Sequence, residues 1–127
     1  MTVIGINTSY VLQYFRGDII LVPFPFTDLT GSKVRPAIIL SDHRVHYSGD
    51  MIIAQVTTQE LKGSFYVTIS NEDVETPFKD PVRQQYIYCK KLATIETRIV
   101  HKKITRIKLD SKMEEILSTV RSIFSKS

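Results

Sequence analysis

Apolar and polar positions divide most of the chain into six short extended segments and one helix. Asp18 to Val22 is a nearly continuous β-branched run, the pattern of a strand buried on both faces or built into a barrel. Pro23 and Pro25 then remove backbone donors, so the chain is predicted to leave the ladder there or to sit at an edge. Asp28 to Lys33 is a polar loop with a turn signal at Gly31. Arg35 to Ser41, Met51 to Val56, Phe65 to Ile69 and Gln85 to Leu92 are predicted as further strands, and Asn71 to Arg83, polar and interrupted by Pro77 and Pro81, as a loop. Lys103 to Leu109 alternates cleanly, with Thr105, Ile107 and Leu109 facing one way and Ile104, Arg106 and Lys108 the other.

The tail has helical spacing. Ser111-Lys112-Met113-Glu114 is a capping-box pattern, and Ile116, Leu117, Val120, Ile123 and Phe124 fall on one face, predicted to pack on the strands. Met1 to Phe15 has no clear period and is read as an N-terminal extension, with one folded unit over 16–127. Short strands at close spacing followed by one helix predict a mainly β fold, a small and strongly bent barrel.

Composition changes this picture little. A length of 127 residues with 43% hydrophobic and 24% charged positions is that of one folded domain rather than a disordered chain. The net charge of +4 suits a polyanionic partner without proving one. Cys89 is the single cysteine, so no internal disulfide can form. Its place in Tyr86-Ile87-Tyr88-Cys89 predicts a buried, inert thiol. No stretch approaches a membrane span and no signal peptide is evident, which points to the cytoplasm.

The stock catalytic patterns are missing. There is no glycine-rich phosphate loop and no serine elbow. His43 and His46 share what reads as a solvated loop, with His101 distant, so neither a metal nor a cofactor is expected. A sparser arrangement remains. Arg35 opens a strand directly after the Gly31-Ser32-Lys33 loop, and another strand ends in Thr57-Thr58. If those two ends meet at one rim, a guanidinium fork stands beside a hydroxyl, a pairing that suits a phosphate. Phe24, Phe26, Tyr47 and Tyr66 are candidates for base stacking, with packing the default role for each.

The Gly17-Asp18-Ile19 start, the Pro23-Phe24-Pro25-Phe26-Thr27-Asp28 segment, the Arg35-Pro36-Ala37 core and the strand Ala54-Gln55-Val56-Thr57-Thr58-Gln59 together resemble the PemK/MazF family of type II toxins. The resemblance runs from about Arg16 to the end and is most specific in the first half. It implies an SH3-like barrel, related in fold to the gyrase poison CcdB. It also implies a metal-independent endoribonuclease that cuts single-stranded mRNA by attack of the ribose 2′-hydroxyl on its own phosphate. Arg35 matches the family's catalytic arginine and Thr57 its catalytic threonine. Gln59 follows as in many members, and Thr27, Thr30, Ser32 and Lys33 lie on or beside the loop that shapes the RNA groove. One departure is evident: some members carry an Arg and an Asp where this chain has Tyr88 and Lys90, so that acid–base pair is not expected here. The resemblance further implies a homodimer and a cognate antitoxin protein. Two alternatives share the fold: a non-enzymatic toxin that binds DNA gyrase, and an SH3-like RNA-binding module.

Overall fold

A computed structural model describes residues 13–25, 33–79 and 84–125. Its main element is one sheet of six antiparallel strands: β1 (Asp18–Pro23), β2 (Val34–Ile39), β3 (Asp50–Thr57), β4 (Tyr66–Ile69), β5 (Gln85–Glu96) and β6 (Lys102–Arg106). The spatial order is β4-β5-β3-β2-β1-β6. The edges β4 and β6 approach at one end, where Val74 bridges Ile107. Glu75 N–H donates to Arg106 O (2.9 Å) and Lys108 N–H to Asp73 O (2.9 Å). Thr76 N–H donates to Thr105 Oγ1 (2.9 Å). The sheet is thus a half-barrel stitched across its open side, which satisfies edge groups that would otherwise invite pairing.

Alternation along the strands builds two cores. Ile19, Ile38, Ala54, Val56, Val67 and Ile87 face one side with Cys89 and Ile116. Ile20, Val22, Phe24, Ala37, Ile39 and Ile53 face the other, with Tyr14, Ile99 and Val100 packed against them. Burial on both faces explains why Ile19–Val22 reads as a continuous apolar run rather than an alternating one.

The helix α2 (Asp110–Ile123) closes the first core through Ile116, Met113, Leu117, Val120 and Ile123. Its start differs from expectation. Leu109 occupies the cap and makes no side-chain cap bond, so Ser111 lies inside the helix. The capping box sits instead at Ser70-Asp73, around a 3-10 turn Asn71–Asp73 within the segment expected to be a plain loop. Phe124 is 74% exposed and Leu109 44%, so neither joins the core. Strand β6 ends at Arg106, short of the predicted Leu109.

His43–His46 is a helical turn, α1, rather than a loop, capped by Asp42, which accepts from Arg44 N–H at 2.7 Å. The Arg44 side chain pairs with the same carboxylate and holds it down to about pKa 2. His46 is buried. Its Nδ1 lies 3.1 Å from Tyr14 O, and a carbonyl only accepts, so Nδ1 donates there. Its Nε2 shares a hydrogen bond with Ser41 Oγ at 2.8 Å, and Ser41 Oγ accepts from Ile52 N–H at 3.0 Å. That chain gives His46 a structural role, anchoring the residues before β1 to the sheet.

Cys89 is fully buried, and burial, with the Glu115 charge, pushes its thiol up to about 11. The native protein is therefore expected to resist alkylation by iodoacetamide at pH 8 and to take one label in denaturant. Intact-mass measurement checks this, and rapid native labelling would contradict the inert reading.

Candidate functional site

Strand register brings the site together. Strands β2 and β3 pair Ile39 with Ile53, Ile38 with Ala54 and Ala37 with Gln55. Continuing that register by two residues sets Arg35 opposite Thr57 on one face, at the rim. Two local features fix the positions. Pro36 restricts the preceding Arg35 to extended backbone, and its missing N–H fits the end of the β2–β3 ladder at Ala37. On the other side, Val22 of β1 pairs with Arg35, and Tyr86 of β5 pairs with Thr57.

Arg35 and Thr57 line a recess of about 160 Å³, with Gln55, Gln59 and Lys91 adding polar groups and Leu61 and Tyr88 forming its wall. The Arg35 Nε is shielded from solvent and has no hydrogen-bond partner among the described residues. A guanidinium in that state has donors left for an anion. Gln59 N–H donates to Thr57 Oγ1 at 3.1 Å, which orients the hydroxyl and leaves its own O–H to donate into the recess. Arg35 and Thr57 are also reached from the opposite face. There they line a larger, mainly apolar cavity of about 380 Å³ with Val56, Phe78 and Ile104, and with Gln85, Lys79 and Lys102 as polar groups.

Of the other expected site residues, Lys33 is exposed just ahead of β2, and its carbonyl accepts from Phe24 N–H at 3.2 Å. Thr27, Thr30 and Ser32 lie outside the described residues, as does Phe26. The stacking candidates fare differently. Phe24 is fully buried and unavailable to a base. Tyr47 is 57% exposed, and Tyr66 packs edge-on against Tyr86 (centroids 5.7 Å apart). Among the described residues, no group of three or more His, Cys, Asp or Glu is placed to hold a metal ion, and no helix is long and apolar enough to cross a membrane.

Residues 15–124 match the family described as PemK-like, MazF-like toxin of type II toxin-antitoxin system. The chain belongs to this family. The toxin also resembles solved structures. An endoribonuclease in complex with its cognate antitoxin from Mycobacterial species is 17% identical, with a TM-score of 0.66 over 87% of this chain and 94% of that one. A MazE–MazF structure from Deinococcus radiodurans is 17% identical, with a TM-score of 0.67 over 90% and 98%. The Mycobacterium tuberculosis toxin MazF-mt6 is 18% identical, with a TM-score of 0.62 over 84% and 95%. At these identities the likeness is one of fold. No curated protein matches the chain in sequence.

Two polar recess residues of this toxin, Gln55 and Lys91, are not singled out by the sequence reading. Gln55 was findable, because it lies two positions before Thr57 in a strand and so shares its face. It is 7% exposed, a buried amide on the recess floor. Lys91 was not findable. Gln55 pairs with Tyr88 but the neighbouring Ala54 pairs with Leu92, so Cys89, Lys90 and Lys91 are excess residues in β5. Strict alternation from Tyr88 would turn Lys91 away with Cys89, and the bulge returns it to the recess. Phe65, whose φ of 69° is rare outside glycine, helps fasten the bulge by accepting from Cys89 N–H at 3.0 Å.

Proposed function

We propose that this toxin is an endoribonuclease that cuts single-stranded mRNA in the cytoplasm without a metal ion. The observation that carries the reading is the Arg35 guanidinium, whose shielded Nε has no partner among the described residues and which shares a small rim recess with the Thr57 hydroxyl. In the proposed reaction the ribose 2′-oxygen bonds to the adjacent phosphorus and the bond to the 5′-oxygen breaks. The ends left are a 2′,3′-cyclic phosphate, opening to a 3′-phosphate, and a 5′-hydroxyl. Attack is intramolecular, so the protein's work is alignment and stabilisation of added negative charge. Arg35 clamps the non-bridging oxygens, and Thr57 donates to one of them. A single strand is required because the phosphate must enter a narrow recess with its neighbouring bases splayed.

The solved MazF structures, some holding MazE, support a cognate antitoxin as the toxin's protein partner. The antitoxin masks the groove, and the working toxin is a homodimer with RNA near its interface. Thr27, Thr30, Ser32, Lys33 and Gln59 are the residues proposed to contact the RNA.

Incubation of purified toxin with end-labelled, unstructured RNA in EDTA tests the reading. Discrete fragments with 5′-hydroxyl ends are expected. Intact RNA, shifted on a native gel, would identify a binding module instead. On the same substrate Thr57→Val is expected to lower kcat by about a hundredfold, the effect of losing one oxyanion donor.

A further inference from the structure

The recess holds a second cation that the phosphate clamp does not use. Its titratable lining groups are Arg35, Tyr88 and Lys91; no carboxylate or histidine is among the described ones. Arginine keeps its proton, so among these groups the transferable proton sits on the phenol or the ammonium. The two are not equivalent. The Lys90 ammonium stands 5.9 Å from the centroid of the Tyr88 ring, which engages that residue as part of the wall. Lys91 is half-buried and makes no hydrogen bond or ion pair among the described residues. Its presence in the recess depends on excess residues that interrupt the β3–β5 ladder.

We propose that Lys91 is the general acid of the cleavage, an inference that rests on the ribonuclease reading above. Departure of a 5′-alkoxide is the difficult part of the reaction, since an alkoxide is far more basic than an amine. As the 2′-oxygen bonds to phosphorus, the P–O5′ bond breaks and its electron pair stays on the 5′-oxygen. That oxygen takes a proton from the Lys91 ammonium. The 2′-hydroxyl proton passes to water, and the neutral Lys91 amine regains a proton from water, so protons balance over the cycle. Arg35 and Thr57 hold the phosphate, and Lys91 supplies what neither of them can give.

An RNA whose scissile 5′-oxygen is replaced by sulfur separates this role from simple charge attraction, because a thiolate leaves without being protonated. Lys91→Ala is expected to slow cleavage of the ordinary oxygen substrate by about a hundredfold or more, and to cut the sulfur substrate within a few-fold of wild type. Lys91→Arg keeps the charge but is a poor acid, and is expected to show the same pattern. Any slowing by Tyr88→Phe, a wall residue of the recess, is expected to fall equally on both substrates. Equal defects of Lys91→Ala on both substrates, full activity of Lys91→Arg on the oxygen substrate, or sulfur rescue of a defective Tyr88→Phe would each overturn the proposal. A wild-type toxin that leaves both substrates whole would overturn the ribonuclease reading itself, and the assignment with it.

Discussion

Replacing Arg35 by alanine is expected to lower RNA cleavage by about a thousandfold, more than Thr57→Val, because a charged, forked donor set contributes more than one neutral hydroxyl. The loss should fall on kcat rather than on KM, since the guanidinium is matched to charge that grows as the 2′-oxygen attacks. The fold should survive. The Arg35 Nε has no partner to lose among the described residues, and its removal relieves an unsatisfied buried donor. Arg35→Lys is expected to recover only part of the rate, because a point charge replaces a planar fork. Single-turnover cleavage of labelled RNA, with a thermal melt as the folding control, checks all of this. Wild-type turnover by a folded Arg35→Ala toxin would remove the guanidinium from the chemistry.

The second large effect is on stability. Asp18 is fully buried at the start of β1 and joins three parts of the chain. Its Oδ2 accepts from Phe15 N–H at 2.9 Å, while Oδ1 lies 3.3 Å from Lys103 Nζ and 3.7 Å from Arg106 Nε. The Oδ1 contacts are ion pairs rather than well-formed hydrogen bonds, so attraction acts mainly through charge. Asp18→Ala strands the Phe15 amide, leaves Lys103 without its counter-charge and leaves Arg106 only the longer contact to Glu75 at 4.0 Å. Both cations keep some water, which puts the expected loss at about 3 kcal/mol, the low end for breaking a buried pair. For a domain of this size that is a melting point lower by roughly 10 °C. Asp18→Asn keeps an acceptor and should lose about half as much. Urea denaturation of both variants measures the difference, and a loss under about 1 kcal/mol for Asp18→Ala would show that the carboxylate's desolvation cancels its attractions.

Much of this toxin is legible along the chain. Strand positions follow from β-branched runs broken by Gly49, Gly63 and the prolines, and Cys89 is identified as inert by its apolar neighbours. The pairing of Arg35 with Thr57 was accessible as a conditional statement: each closes or opens a strand, and each is the right chemical type for a phosphate. What failed were features decided by competition between local and distant contacts. Ser111 has a capping pattern, yet the helix starts two residues earlier than that cap implies, at Asp110 behind Leu109, with Met113 and Ile116 packed on the sheet. His43 and His46 lie three residues apart, but a hydrogen bond from His46 to Tyr14, far back in the chain, turns one of them inward.

The sequence by itself determined the strands and the terminal helix, which depend on side-chain period and on proline and glycine backbone limits, and offered two residue types suited to an anion. Only the tertiary structure decided that β2 and β3 are neighbours in the register that sets Arg35 against Thr57. It also decided that the excess residues in β5 carry Lys91 back to the same recess. Register and bulge are settled by which faces of several strands bury together, a sum over distant segments that no single stretch of residues contains.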